Sequence, residues 1–143
     1  NMEHGLLLIL LIFIGAYSTD TFAYFTGMLL GRNKVLPAVS PKKTVEGTLG
    51  GLLGAVAVTV VYGIFVINGN FYNQIPVYHF VIIGVLCGAI SQVGDWAASA
   101  VKRYANIKDY GKIMPGHGGI LDRVDSILMV APVIYFYFTV VLK

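Results

Sequence analysis

Charge is what this 143-residue sequence most lacks. Only 12% of its residues are Asp, Glu, Lys or Arg, where soluble domains carry about 25%. With 57% hydrophobic residues and a mean hydropathy of +0.76, a water-soluble globule is excluded and most of the chain belongs in lipid. The one cysteine, Cys87, excludes an intrachain disulfide and, lying in an apolar run, reads as a small buried hydrophobe. No Cys or His cluster points to zinc. Ser- or Pro-rich linkers, tandem repeats and low-complexity stretches are missing too, so 1–143 reads as a single membrane-embedded domain. A cleaved signal needs a basic stretch before its apolar core. The only ionisable side chains before Leu6 are Glu3 and His4, so the first run reads as a mature span.

What is present is apolar length. A hydrocarbon core of about 30 Å takes roughly 17–25 apolar residues in a helix, and four runs qualify: 6–30, 48–67, 77–98 and 124–142. The expected fold is therefore all-α, a polytopic membrane bundle of about four transmembrane helices. Its loops differ in character. The first holds Arg32, Lys34, Lys42 and Lys43, the third holds Lys102, Arg103, Lys108, Lys112 and Arg123, and the segment 68–76 has no charge. If the spans alternate, nine of the ten basic residues share one side and only Lys143 lies on the other. Positive-inside bias then puts both basic loops in the cytoplasm.

Ionisable groups at membrane depth are costly and mark a polar cavity or a partner. Asp20 lies inside an apolar run and Asp95 near the end of another; a cavity is favoured over a mere neutralising ion pair. If the third span continues as a helix over 94–104, Asp95, Ser99, Lys102 and Arg103 fall on one face. Asp122 and Asp125 are neighbours one turn apart where the fourth span begins, and there they also suit the helix dipole. Two such carboxylates, with a third from another helix, make an oxygen-rich site for a hard cation such as Mg²⁺. Between these acids, Pro115-Gly116-His117-Gly118-Gly119 leads into the fourth helix. Its glycines let backbone N–H groups approach an anion, and the cations crowding the same segment favour a phosphate cradle over a plain re-entrant turn. His117 reads as a hydrogen-bond donor to phosphate, with acid–base work as the alternative.

The run Ser99-Ala100-Val101-Lys102-Arg103, then Lys108-Asp109-Tyr110-Gly111, then Pro115 through Asp122-Arg123-Val124-Asp125-Ser126, resembles the signature of the phosphatidate cytidylyltransferases, or CDP-diacylglycerol synthases. Asp20-Thr21-Phe22-Ala23-Tyr24 and Ser40-Pro41-Lys42-Lys43-Thr44-Val45-Glu46-Gly47 are similar to two further segments of that family. Met114 is a mild departure, standing where Leu, Ile or Phe is expected. Family members are longer and carry additional N-terminal spans, so the likeness is to a C-terminal catalytic half.

The resemblance implies transfer of CMP from CTP to phosphatidic acid, giving CDP-diacylglycerol and pyrophosphate for phospholipid synthesis at the cytoplasmic face of a bacterial inner membrane. It implies Asp95 and Asp122 as ligands of Mg²⁺, with Asp125 a third carboxylate, with or without a second cation. Lys102, Arg103, Lys108 and Arg123 would hold phosphates, and Ser40, Lys42, Lys43, Thr44, Ser99, Gly116, His117, Gly118 and Gly119 would contact substrate. Asp20 and Glu46 receive no role. The implied partners are CTP, phosphatidic acid and the bilayer, with no nucleic acid, and a homodimer is one way to complete the helical shell. Two other readings are a CTP-dependent lipid kinase of the dolichol or phytol kinase type and a transporter relaying ions through its buried acids. The kinase is not expected to carry the whole signature, and the transporter leaves the glycine loop and its cations unexplained.

Overall fold

A computed structural model describes residues 2–70, 75–108 and 121–142, the side chains of 2–4 and 121–123 excepted. Helix α1 spans Met2–Leu30, and a hairpin follows, with β1 at Lys34–Leu36 antiparallel to β2 at Ser40–Thr44. Helix α2, Val45–Tyr62, runs through a π-helical turn at Gly63–Ile67 into the short α3, Asn68–Asn70. Helix α4 is Val77–Tyr104, and α5, Leu121–Phe136, ends in a second π-helical turn at Tyr137–Val141. Among the described residues, four segments are long and apolar enough to cross a membrane: Gly5–Leu30, Val45–Asn70, Val77–Tyr104 and Val124–Val141. The all-helical bundle expected from hydropathy is therefore present.

Two details differ from the hydropathy reading. The second span starts at Val45 because Thr44 caps it, its hydroxyl accepting from the Gly47 N–H at 3.2 Å. The first basic loop is not irregular but a hairpin, paired Lys34 to Thr44 and Leu36 to Ser40 with a register shift between.

Small residues let α1 and α2 pack closely. A Cβ on Gly47 would stand 2.8 Å from the Ala23 carbonyl oxygen, and one on Gly51 2.8 Å from that of Thr19, so only hydrogen fits at either position. Towards the other end, Leu11, Ile67, Phe80, Ile83, Cys87, Val130, Ile134 and Tyr137 form the core, with Cys87 buried as expected. Leu29, Leu53, Phe65 and Tyr135 face outwards, which costs nothing where the surroundings are lipid. Hydroxyls at membrane depth return to their own helix: Thr19 donates to the Gly15 carbonyl and Thr59 to that of Ala55, both at 2.7 Å. At the end away from the hairpin, Asn68 bonds both backbone groups of Ile75, and the His79 ring meets the Tyr137 hydroxyl at 2.8 Å.

Candidate functional site

The bundle end formed by the C-termini of α1 and α4 and the N-termini of α2 and α5 is where the charge collects. A cavity of about 400 Å³ opens there, lined by Asp20, Tyr24, Met28, Lys42, Lys43, Thr44, Gln92, Asp95 and Trp96 among others. That size falls in the range of about 300–1,000 Å³ usual for small-molecule sites. Asp20 and Tyr24, one turn apart, present a single face of α1 to it. Helix α4 supplies Asp95, and the hairpin lays Lys42 and Lys43 across the opening.

Lys43 makes an ion pair with Asp95, joining the hairpin to α4. The hairpin is secured at two other places. At its base, the Arg32 backbone N–H donates to Glu46 Oε2 at 3.1 Å, the Asn33 amide side chain donates to Glu46 Oε1 at 3.0 Å, and the Val45 N–H donates to the Asn33 carbonyl at 2.8 Å. At its turn, Arg103 Nε reaches the Val39 carbonyl at 3.4 Å. Glu46, without a role in the sequence, is thus the clasp of the hairpin.

Helix α5 brings a third carboxylate. Ser126 Oγ lies 3.3 Å from Asp20 Oδ2 and 3.3 Å from Asp125 Oδ1, and its backbone N–H donates to Asp125 at 2.7 Å. One hydroxyl proton serves one carboxylate at a time, so Ser126 links two acids that otherwise repel. Asp20 also stands within electrostatic reach of Asp95, Asp125 and Lys43, and Asp125 within reach of Asp95 and Lys102.

Lys42, Lys43, Thr44 and Asp95, selected from sequence, meet at the cavity with Asp20. Thr44 is also the α2 cap. Asp125 is linked to Asp20 through Ser126, while Ser99 and Lys102 are half-buried on the same helix as Asp95, which continues to Tyr104. Arg103 serves the hairpin turn, Ser40 lies in β2 opposite Leu36, and Lys108 is exposed past the end of α4. Gly116, His117, Gly118 and Gly119 lie outside the described residues, as do Asp109 and Lys112 and the side chains of Asp122 and Arg123. Sequence reasoning missed Gln92, whose amide donates to the Thr48 carbonyl at 2.9 Å, and the wall of Tyr24, Met28 and Trp96. Only Gln92 left a signal, as an amide in an apolar run.

Among the described residues, no three acidic, histidine or cysteine side chains gather closely enough to hold a metal ion. The donor chemistry nevertheless fits a hard cation, since the acids at the cavity, Asp20 and Asp95, offer carboxylate oxygens and Asp95 already holds a cationic ammonium.

Fold and site together define an integral membrane protein with a charged cavity at one end of its bundle. The chain belongs to the cytidylyltransferase family, whose model matches residues 1–141. It is 41% identical over 131 residues to a phosphatidate cytidylyltransferase of Thermotoga maritima, covering 92% of this chain and 48% of the relative. It is 41% identical over 138 residues to that of Haemophilus influenzae, covering 96% and 48%. With that of Staphylococcus saprophyticus it shares 44% identity over 132 residues, covering 92% and 49%. The chain thus spans about half the length of the curated relatives it matches.

Proposed function

We propose that this chain carries the catalytic machinery of a phosphatidate cytidylyltransferase, joining CMP from CTP to phosphatidic acid. The observation that carries the reading is the meeting of Lys42 and Lys43 with Asp20 and Asp95 in a cavity that also has an apolar wall, within a bundle able to sit in a membrane. Such a site suits a ligand with an anionic head and an acyl tail. In the reaction, a phosphate oxygen of phosphatidate bonds to the α-phosphorus of CTP while the bond to pyrophosphate breaks. That oxygen is already ionised at neutral pH, so no strong base is needed and His117 acts as a donor to phosphate.

The work left to the protein is charge neutralisation and alignment of two anions. Lys42, Lys43, Lys102, Arg103, Lys108 and Arg123 supply positive charge, Ser40, Thr44 and Ser99 supply hydroxyls, and the 116–119 backbone supplies N–H groups. Asp95, Asp122 and Asp125 would hold Mg²⁺, alone or with a second cation; when bound, it neutralises phosphate oxygens and stabilises charge on the leaving group. The membrane is a bacterial inner membrane with this cavity on the cytoplasmic side, and a homodimer would complete the helical shell around it.

The test is Mg²⁺-dependent formation of CDP-diacylglycerol by the purified chain, alone and combined with the part of a relative that it does not span. Asp122→Asn keeps shape and removes one negative charge; if that charge holds the cation, the rate falls on the order of a hundredfold or more, at about 1.36 kcal/mol per tenfold. Asp109→Asn should be milder. Near-wild-type turnover by Asp122→Asn at an unchanged Mg²⁺ requirement would remove the metal assignment. Release of CDP in place of pyrophosphate would point to a lipid kinase, and release of neither to a transporter.

A further inference from the structure

We propose that Lys43 is a built-in counter-cation: its ammonium holds Asp95 until a phosphate group draws it away and a divalent cation takes the carboxylate, so that cation and phosphate each favour the other's binding. This rests on the reading above, in which both ligands enter this cavity.

Lys43 and Asp95 are 52 residues apart in sequence and come from different elements, so their pairing is a tertiary contact and not an accident of helical spacing. Their side chains are 26% and 33% exposed, which shields the pair from water but leaves it reachable from the cavity. Around the pair stand the acids Asp20 and Asp125 and the cation Lys42, with Lys102 within electrostatic reach of Asp125. A divalent cation arriving alone must share Asp95 with an ammonium or break the pair. A phosphate arriving alone must compete with Asp95 for Lys43. Arriving together, they replace one ion pair by two, and neither Lys43 nor Asp95 is left unpaired in a shielded site.

The side chain is suited to the exchange. Lysine carries a compact charge on a flexible stem and changes partner by rotating, whereas arginine would hold a carboxylate through a rigid two-pronged fork. The strand need not move, because Glu46 fixes the hairpin base and Arg103 its turn.

The experiment measures Mn²⁺ binding to the whole chain in detergent by electron paramagnetic resonance, without phosphate and then with inorganic phosphate. Removing the internal competitor in Lys43→Met should tighten Mn²⁺ binding about fivefold, the scale of a partly exposed ion pair. Lys42→Met removes the same charge from the same cavity without touching an Asp95 ion pair, and should change it less than about twofold by ordinary screening. Phosphate should tighten Mn²⁺ binding in the wild type and do so less in Lys43→Met. Equal gains in the two variants, or no gain in Lys43→Met, overturn the exchange. If Lys43→Met does not fold, Lys43→Gln is held to the same outcomes. Assaying CDP-diacylglycerol separately keeps the two claims apart: Mn²⁺ gains without product leave the exchange standing and sink the substrate reading, while product without gains does the reverse.

Discussion

A carboxylate that receives several donors at once is already engaged, and Glu46 is in that state: Arg32 and Asn33 offer it backbone N–H groups and Asn33 its side-chain amide as well. It acts on the cavity only through the hairpin that it clasps, so it is a positioning residue. Glu46→Ala should speed hydrogen exchange at the Arg32 and Asn33 amides and, in the reaction proposed above, should raise KM for CTP more than it lowers kcat because Lys42 and Lys43 lose their placement. Glu46→Gln, which keeps one carbonyl acceptor, should fall between. Unchanged exchange at both amides would show that the hairpin does not depend on this clasp. The sequence put Glu46 in a family-like segment but gave it no task, for a physical reason: most of its partners are backbone amides, which no side-chain pattern announces. Asp20 and Asp95 were legible because a charge in an apolar run must be compensated. Ser126, a small neutral hydroxyl, left no such mark as the link between Asp20 and Asp125.

Among elements, the α1–α2 seam decides whether Asp20 and the hairpin stay in register. Gly51, like Gly47, sits hard against backbone there: an added Cβ would meet the Thr19 carbonyl at 2.8 Å, the Ala23 Cβ at 2.9 Å and the Gln92 amide nitrogen at 3.1 Å. A carbonyl in a helix cannot swing aside as a side chain does, so Gly51→Ala must push the helices apart. Overpacking of this kind costs about 1–3 kcal/mol, which should appear as a lower unfolding midpoint in detergent. Gly5→Ala, with nothing within 4 Å of its added Cβ, is the control, and should be neutral or stabilising by about 0.5–1 kcal/mol. Equal midpoints would show that the seam has slack. Element existence was readable from apolar length, whereas the continuation of α4 to Tyr104 was only the condition for its polar residues to share a face, a condition the helix meets. The hairpin was not: Lys34–Leu36 and Ser40–Thr44 are short, carry Pro41 and show no apolar alternation, because they are held by Glu46, Lys43 and Arg103 instead of by a buried face.

For the whole molecule, the two ends of the bundle are chemically unlike. Among the described residues, one carries the hairpin, the C-terminus of α4 and the start of α5, with eight basic residues in or beside them; the other carries the uncharged residues 68–70 and 75–76 and the His79–Tyr137 contact. Near an anionic cytoplasmic leaflet each Lys or Arg is worth about 1 kcal/mol, so the sum strongly favours one orientation. Ala38, exposed at the hairpin turn, and Asn70, exposed at the opposite end, report on the two sides. In sealed right-side-out vesicles, a membrane-impermeant maleimide should label Asn70→Cys and leave Ala38→Cys untouched, and inverted vesicles should reverse the pattern. The native Cys87 adds little background, since it is buried in the bundle core. Labelling of both positions from one side would break the alternation of four spans. Labelling of Ala38→Cys alone in right-side-out vesicles would keep the bundle but turn the cavity outwards, away from the compartment in which a nucleoside triphosphate is made.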